Sequence, residues 1–130
     1  MLLKKFGRDS GNDISLLATN RLDKEFLDKL SGIIEEGISD ENLNNDAIAE
    51  RMNMSRSSFY NKFKDLTGET PNEYLSNLRL VKASSMLIME QGMSIAEISE
   101  ALGFNSLSYF SRKFKDRFGL SPAQYRQENT

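Results

Sequence analysis

The sequence contains no cysteine and no histidine. Without cysteine there are no disulfides, no thiolate metal sites and no thiol nucleophile, and the chain suits a reducing compartment. Without histidine there is no Ser-His-Asp triad, no HExxH zinc site and none of the commonest general base. An enzyme is therefore not expected, and neither is a metal or a cofactor. No apolar run reaches the roughly 18 residues of a membrane span. Met1-Leu2-Leu3-Lys4-Lys5-Phe6 lacks the long apolar stretch of a secretory signal. The expectation is a cytoplasmic location with no membrane contact by this stretch of chain. No segment alternates polar and apolar residues over a useful length, so no sheet is expected.

What is present is 130 residues, enough for one domain or two very small ones. The net charge is −2 and the pI about 5.2, which by itself argues against nucleic acid. The distribution argues otherwise. Residues 1–53 hold seven Lys/Arg against eleven Asp/Glu, net −4, and residues 54–130 hold ten against eight, net +2. Arg56 to Lys64 carries Arg56, Lys62 and Lys64 with no acid. Ser106 to Arg117 carries Arg112, Lys113, Lys115 and Arg117 against Asp116 alone. An acidic chain can thus be basic on one face, and that face sets the local potential. On charge alone, two ordinary solvated helix faces remain an equal alternative.

The helical period starts at Asp23. Phe26, Leu27, Leu30, Ile33 and Ile34 form one apolar stripe ending at Gly37. Gly7 to Asp13 reads as loop, so residues 1–20 are expected to be a linker or the stub of a larger protein. Asn44 or Asn45 caps a short helix to Met52, and Asn53 suits a left-handed exit. Ser55 caps a helix to about Leu66, closed by Gly68. Pro71 opens a long helix to about Met89, with Tyr74, Leu75, Leu78, Val81, Met86 and Leu87 apolar. Ser94 caps Ile95 to Leu102. Asn105-Ser106 starts a helix to Phe118, and Ser121-Pro122 opens a last one. The expected fold is all-α, with about seven helices.

The chain also repeats itself. At an offset of 50, Ile48 and Glu50 match Ile98 and Glu100. At 51, Ser57, Phe59, Lys62-Phe63-Lys64-Asp65, Gly68, Pro71 and Tyr74 match Ser108, Phe110, Lys113-Phe114-Lys115-Asp116, Gly119, Pro122 and Tyr125. Each copy reads as short helix, tight turn, second helix, which is the helix-turn-helix pattern. One copy alone is more simply a structural hairpin; two copies with matching basic second helices favour DNA. The linking helix from Pro71 to Met89 is about 18 residues, or about 27 Å long at 1.5 Å per residue. Successive major grooves on one DNA face lie about 34 Å apart. One chain could thus present two readers to adjacent grooves. Phe59, Phe63, Phe104, Phe110, Phe114 and Phe118 are expected in the core, with Tyr74 and Tyr125 packing the end of each repeat.

These residues resemble the DNA-binding domain of the AraC/XylS family of bacterial transcription regulators, over about Asn44 to Arg126. The second half carries Ile95-Ala96-Glu97-Ile98, Gly103-Phe104, Tyr109-Phe110-Ser111-Arg112-Lys113-Phe114-Lys115, Phe118-Gly119 and Ser121-Pro122-Ala123-Gln124-Tyr125-Arg126. The first half carries Met54-Ser55-Arg56-Ser57-Ser58-Phe59-Tyr60, Phe63-Lys64, Thr67-Gly68 and Pro71-Asn72-Glu73-Tyr74, then Arg79-Leu80. The resemblance implies a domain over 21–130: a first helix-turn-helix at about 44–67, a linking helix at about 71–89, a second helix-turn-helix at about 94–118 and a C-terminal helix at about 121–128. Asp23 to Leu27, Ile33 to Glu35 and the Ser39-Asp40 loop further resemble the approach to the output domain of Bacteroides-type hybrid two-component regulators. Two departures stand out. Asn53 replaces the family's usual Gly, and the exposed positions of the first recognition helix hold no Arg or Gln for base reading. A related group in the family performs alkyl-transfer repair through cysteine, which this chain lacks.

The base-edge candidates are Ser57, Tyr60 and Asn61 in the first recognition helix and Leu107, Ser108 and Arg112 in the second. Asn61 suits adenine, Leu107 a thymine methyl, and Arg112 guanine. The phosphate candidates are Arg56, Lys62, Lys64, Lys113 and Lys115, with Ser55, Asn105 and Ser106 at the helix starts. The partner implied is double-stranded DNA, with RNA polymerase as a further one. The chain itself is expected to be monomeric and the full-length protein dimeric. A helical protein-interaction module remains the alternative, and salt dependence of duplex affinity separates the two.

Overall fold

The computed structural model describes residues 21–130; the expected linker or stub at 1–20 lies outside them. The described residues form seven helices and no strand. They are α1 (Arg21–Gly37), α2 (Asn45–Arg51), α3 (Arg56–Thr67), α4 (Pro71–Met89), α5 (Ile95–Ala101), α6 (Leu107–Phe118) and α7 (Pro122–Glu128). They fall into two compact units. One holds residues 21–37 and 43–75, the other 38–42 and 76–130.

In the first unit the α1 stripe is buried as the period predicts, from Phe26 to Ile34. Asn44 caps α2 by accepting from the Ala47 N–H, and Ser55 caps α3 by accepting from the Ser58 N–H. Phe59 and Phe63, four apart, turn the same face of α3 inward, and both are fully buried. Phe59 packs between Phe26 and Phe63, and Tyr74 meets Phe63 edge-on at 5.5 Å. Burial raises the Tyr74 hydroxyl pKa to about 12, with help from the Glu69 charge.

In the second unit Leu80, Ala83, Leu87, Ile98, Leu102, Phe104, Phe110 and Phe114 form one buried cluster. Phe118 and Tyr125 pack against it while half-exposed, and Tyr125 meets Phe114 edge-on at 5.3 Å, repeating the Tyr74–Phe63 arrangement. Capping boxes start α5 at Ser94 and α7 at Ser121. Val81, expected among the apolar positions of α4, is 42% exposed. The buried positions here are Leu80, Ala83 and Leu87, and Val81 lies one residue, or about 100° of helix rotation, off that line.

Arg79 is buried without facing a carboxylate in hydrogen-bond contact. Its Nε donates to the Ile38 carbonyl at 2.8 Å and its Nη2 to the Asp40 carbonyl at 2.7 Å. Burial lowers its pKa, and the Asp40 charge opposes that shift. This fork pins the 38–42 loop onto α4. Arg126 does similar work at the end of α4, donating to the carbonyls of Leu87 and Glu90.

Candidate nucleic-acid interface

The two short-helix turns are built identically. In the first, Met54 N–H donates to the Ala49 carbonyl at 2.9 Å and Asn53 N–H to Glu50 at 3.0 Å. In the second, Phe104 N–H donates to Ser99 at 3.1 Å and Gly103 N–H to Glu100 at 3.1 Å. Both are Schellman turns, which need a left-handed residue in the penultimate place. Asn53 (φ 59°) and Gly103 (φ 85°) fill it. Asn is the non-glycine residue that tolerates this best, so the departure at position 53 keeps the geometry. At Gly103 no side chain would fit freely: an added Cβ would lie 3.2 Å from backbone atoms of Ser39 and Asp40.

Each turn delivers a second helix with one buried and one open face. On α3, Ser55, Arg56, Ser57, Tyr60 and Asn61 line a single open depression. Lys64, one turn beyond Tyr60, is exposed. The structure thus brings together most of the candidates of the first repeat. It adds Asn45 and Asp46 from the start of α2 to the same depression. The Asp46 carboxylate stands 3.3 Å from the Arg56 guanidinium. The sequence offered no spacing signal for either residue, because the turn that folds α2 against α3 brings them there.

Lys62 departs from expectation. Its ammonium binds the Asp23 carboxylate at 2.9 Å and sits 5.2 Å from the Phe26 ring centroid. It therefore faces α1, away from Ser57, Asn61 and Lys64. The reason is rotation: position 62 follows Asn61 by about 100° around the helix, which carries it past the open face. Net positive charge along the segment did not distinguish the two sides.

On α6, Leu107 (46% exposed), Ser108, Arg112 and Lys115 lie on the open side. Asn105, Ser106 and Leu107 line a shallow depression with Glu41, Glu100 and Phe104. Ser106 caps the helix by accepting from the Tyr109 N–H, as Ser55 caps α3, so both serines are engaged in capping. Lys113, the repeat counterpart of Lys62, is half-buried on the flank with its ammonium 5.9 Å from the Tyr109 ring centroid. Arg112 lies over the same ring at 5.5 Å. Sequence reasoning passed over Tyr109 as a site residue; an exposed aromatic among core-spaced phenylalanines gave no separate signal. Ser111, the counterpart of Tyr60, also falls on this side and was not singled out.

Among the described residues there is no cluster of acidic side chains able to hold a metal ion, and no helix long and apolar enough to cross a membrane.

The family described as "Helix-turn-helix domain" matches residues 48–128. A histidine kinase of Formosa agariphila is 32% identical over 124 residues, 95% of this chain but 9% of that protein. Other curated relatives are covered over about a third of their length. A transcriptional regulator structure from Chromobacterium violaceum, titled as containing an AraC-type DNA-binding domain, is 30% identical. It aligns over 85% of this chain and 97% of its own, with a TM-score of 0.72. The DNA-binding domain of the global transcriptional factor AdpA, solved with a target DNA, is 28% identical. It aligns over 78% of this chain and 89% of its own, also with a TM-score of 0.72. Two repeated helix-turn-helix units, closed by matching turns, and these likenesses together place the chain in the AraC-type helix-turn-helix family of DNA-binding domains.

Proposed function

We propose that residues 21–130 are the DNA-binding output domain of a transcription regulator, with α3 and α6 entering adjacent major grooves of duplex DNA. The observation that carries this reading is the repetition itself. Two identically closed turns each present a recognition helix with an open, cation-bearing face. The AdpA domain, solved on its target DNA, supports it.

Arg112 is assigned to a guanine edge and Leu107 to a thymine methyl, with Ser108 beside them. Ser57, Tyr60 and Asn61 are the corresponding readers on α3. Arg56, Lys64 and Lys115 are assigned to phosphates, aided by the N–H groups at the starts of α3 and α6 around Ser55, Asn105 and Ser106. Lys113 serves from the flank. Lys62 is left out, because Asp23 already holds it.

The long kinase relative, matched over nearly all of this chain, supports an output domain of a two-component protein. The place of action proposed for it is the cytoplasm, where its DNA lies. Dimerisation and contact with RNA polymerase belong to that full-length protein. The domain itself binds rather than catalyses.

Duplex affinity measured across salt concentrations tests the reading. Each neutralised phosphate contributes about −0.9 to the log–log slope, so a slope near −4 is expected. A slope near zero would instead favour a protein-interaction module.

A further inference from the structure

We propose that Tyr109 is a positioning residue of the second recognition helix, its ring holding the Arg112 guanidinium ready for a base edge. This rests on the DNA-binding reading above and adds a residue that the reading does not use.

Tyr109 is 39% exposed, so it is not there to fill the core. It is nevertheless fixed. Its centroid lies 6.4 Å from that of Phe104, which is itself buried in the turn and packed 4.9 Å from Phe110. The Arg112 guanidinium carbon lies 5.5 Å from the Tyr109 centroid, within the range of a cation–ring attraction. A chain of contacts therefore runs from the buried turn, through Phe104 and Tyr109, to the tip of an exposed arginine.

Its consequence is entropic. An unsupported arginine on a helix surface samples many rotamers and loses them on binding. A guanidinium already resting on a ring loses fewer. Lys113 lies 5.9 Å from the same ring but is half-buried on the flank, while Arg112 is exposed on the open side of α6. The first repeat has no such device: Ser58 stands in the place of Tyr109, and Asn61 in that of Arg112. The second recognition helix thus has a support for its reader that the first lacks.

The test uses the whole chain and the duplex that it enriches from a random library. Tyr109→Ala is expected to weaken that duplex about two- to five-fold, the size of one exposed cation–ring contact. Selectivity should fall at the same base pair that Arg112→Ala relaxes. Tyr109→Phe, which keeps the ring, should recover most of the loss. In free protein, NMR relaxation of the Arg112 Nε–Hε group should show greater motion in Tyr109→Ala and not in Tyr109→Phe. In an Arg112→Ala background, Tyr109→Ala should cost nothing further. An equal loss in that background would overturn the proposal, since the ring would then touch DNA itself. Tighter binding by Tyr109→Ala would overturn it too, because the ring would be sequestering Arg112. If Arg112→Ala weakens binding and Tyr109→Ala does not, the positioning role fails while the DNA reading stands. Failure of the wild-type chain to enrich any duplex overturns both.

Discussion

The Lys62 ammonium sits 2.9 Å from the Asp23 carboxylate, and this contact turns a cation of α3 toward α1 and away from the open face of its helix. The pair joins α1 to α3 within the first unit and is reinforced by the Phe26 ring below. Lys62→Ala should therefore leave duplex affinity and its salt slope unchanged. It should cost about 0.5–1 kcal/mol of stability, the range for a partly exposed pair. Lys64→Ala should do the reverse, lowering the slope by about 0.9 with little effect on stability. Fluorescence anisotropy with a labelled duplex and urea unfolding distinguish the two variants.

Asp46 is the acid set among the first repeat's candidates, 3.3 Å from Arg56. It pairs with the arginine, and its charge would repel a phosphate there. Asp46→Asn should raise affinity for all duplexes alike, about two- to five-fold at low salt, because a phosphate contact carries no sequence information. The gain should shrink as salt rises. Affinities for specific and scrambled duplexes, measured side by side, check this.

Gly103 combines a left-handed backbone with a crowded approach to Ser39 and Asp40. Gly103→Ala should cost about 2 kcal/mol or more, since left-handed strain alone is worth of order 1–3 kcal/mol. Asn53→Gly should change stability by less than about 1 kcal/mol, because Asn already tolerates the turn and Gly adds chain entropy to the unfolded state. Urea midpoints give both values.

The buried Tyr74 hydroxyl makes stability depend on high pH. Its pKa is raised from 10.0 to about 12, so the folded state keeps a proton that the unfolded state releases. The stabilisation is intact below pH 10 and is lost as pH rises toward 12. At about 1.4 kcal/mol per pKa unit, the full loss from this two-unit shift is about 3 kcal/mol. Tyr74→Phe should flatten this part of the profile when urea midpoints are followed from pH 9 to pH 12.

Much of this was legible in the sequence because local signals agreed. Asn44, Ser55, Ser94, Ser106 and Ser121 cap where their spacing indicates, and Pro71 and Pro122 open the helices they precede. The left-handed role of Asn53 followed from its place just after the short helix and from the tolerance of asparagine for that conformation. Other features depended on what folds against what. Val81 sits one residue from the buried Leu80 and Lys62 one residue from the exposed Asn61, and a single step of rotation reverses what a side chain meets. Asp46 joins the α3 depression only through the turn, and Tyr109 acquires meaning from Phe104 and Arg112 around it. Composition and period carry no information of that kind.

Two-groove reading by one chain is open to a single experiment. Selection from a random duplex library at two salt concentrations, with Arg112→Ala alongside the wild-type chain, tests it most directly. The expected result is an enriched motif of two half-sites about one helical turn, roughly 10 base pairs, apart, with one half-site relaxed by Arg112→Ala. A single enriched half-site, or a motif that Arg112→Ala leaves unchanged, would contradict it.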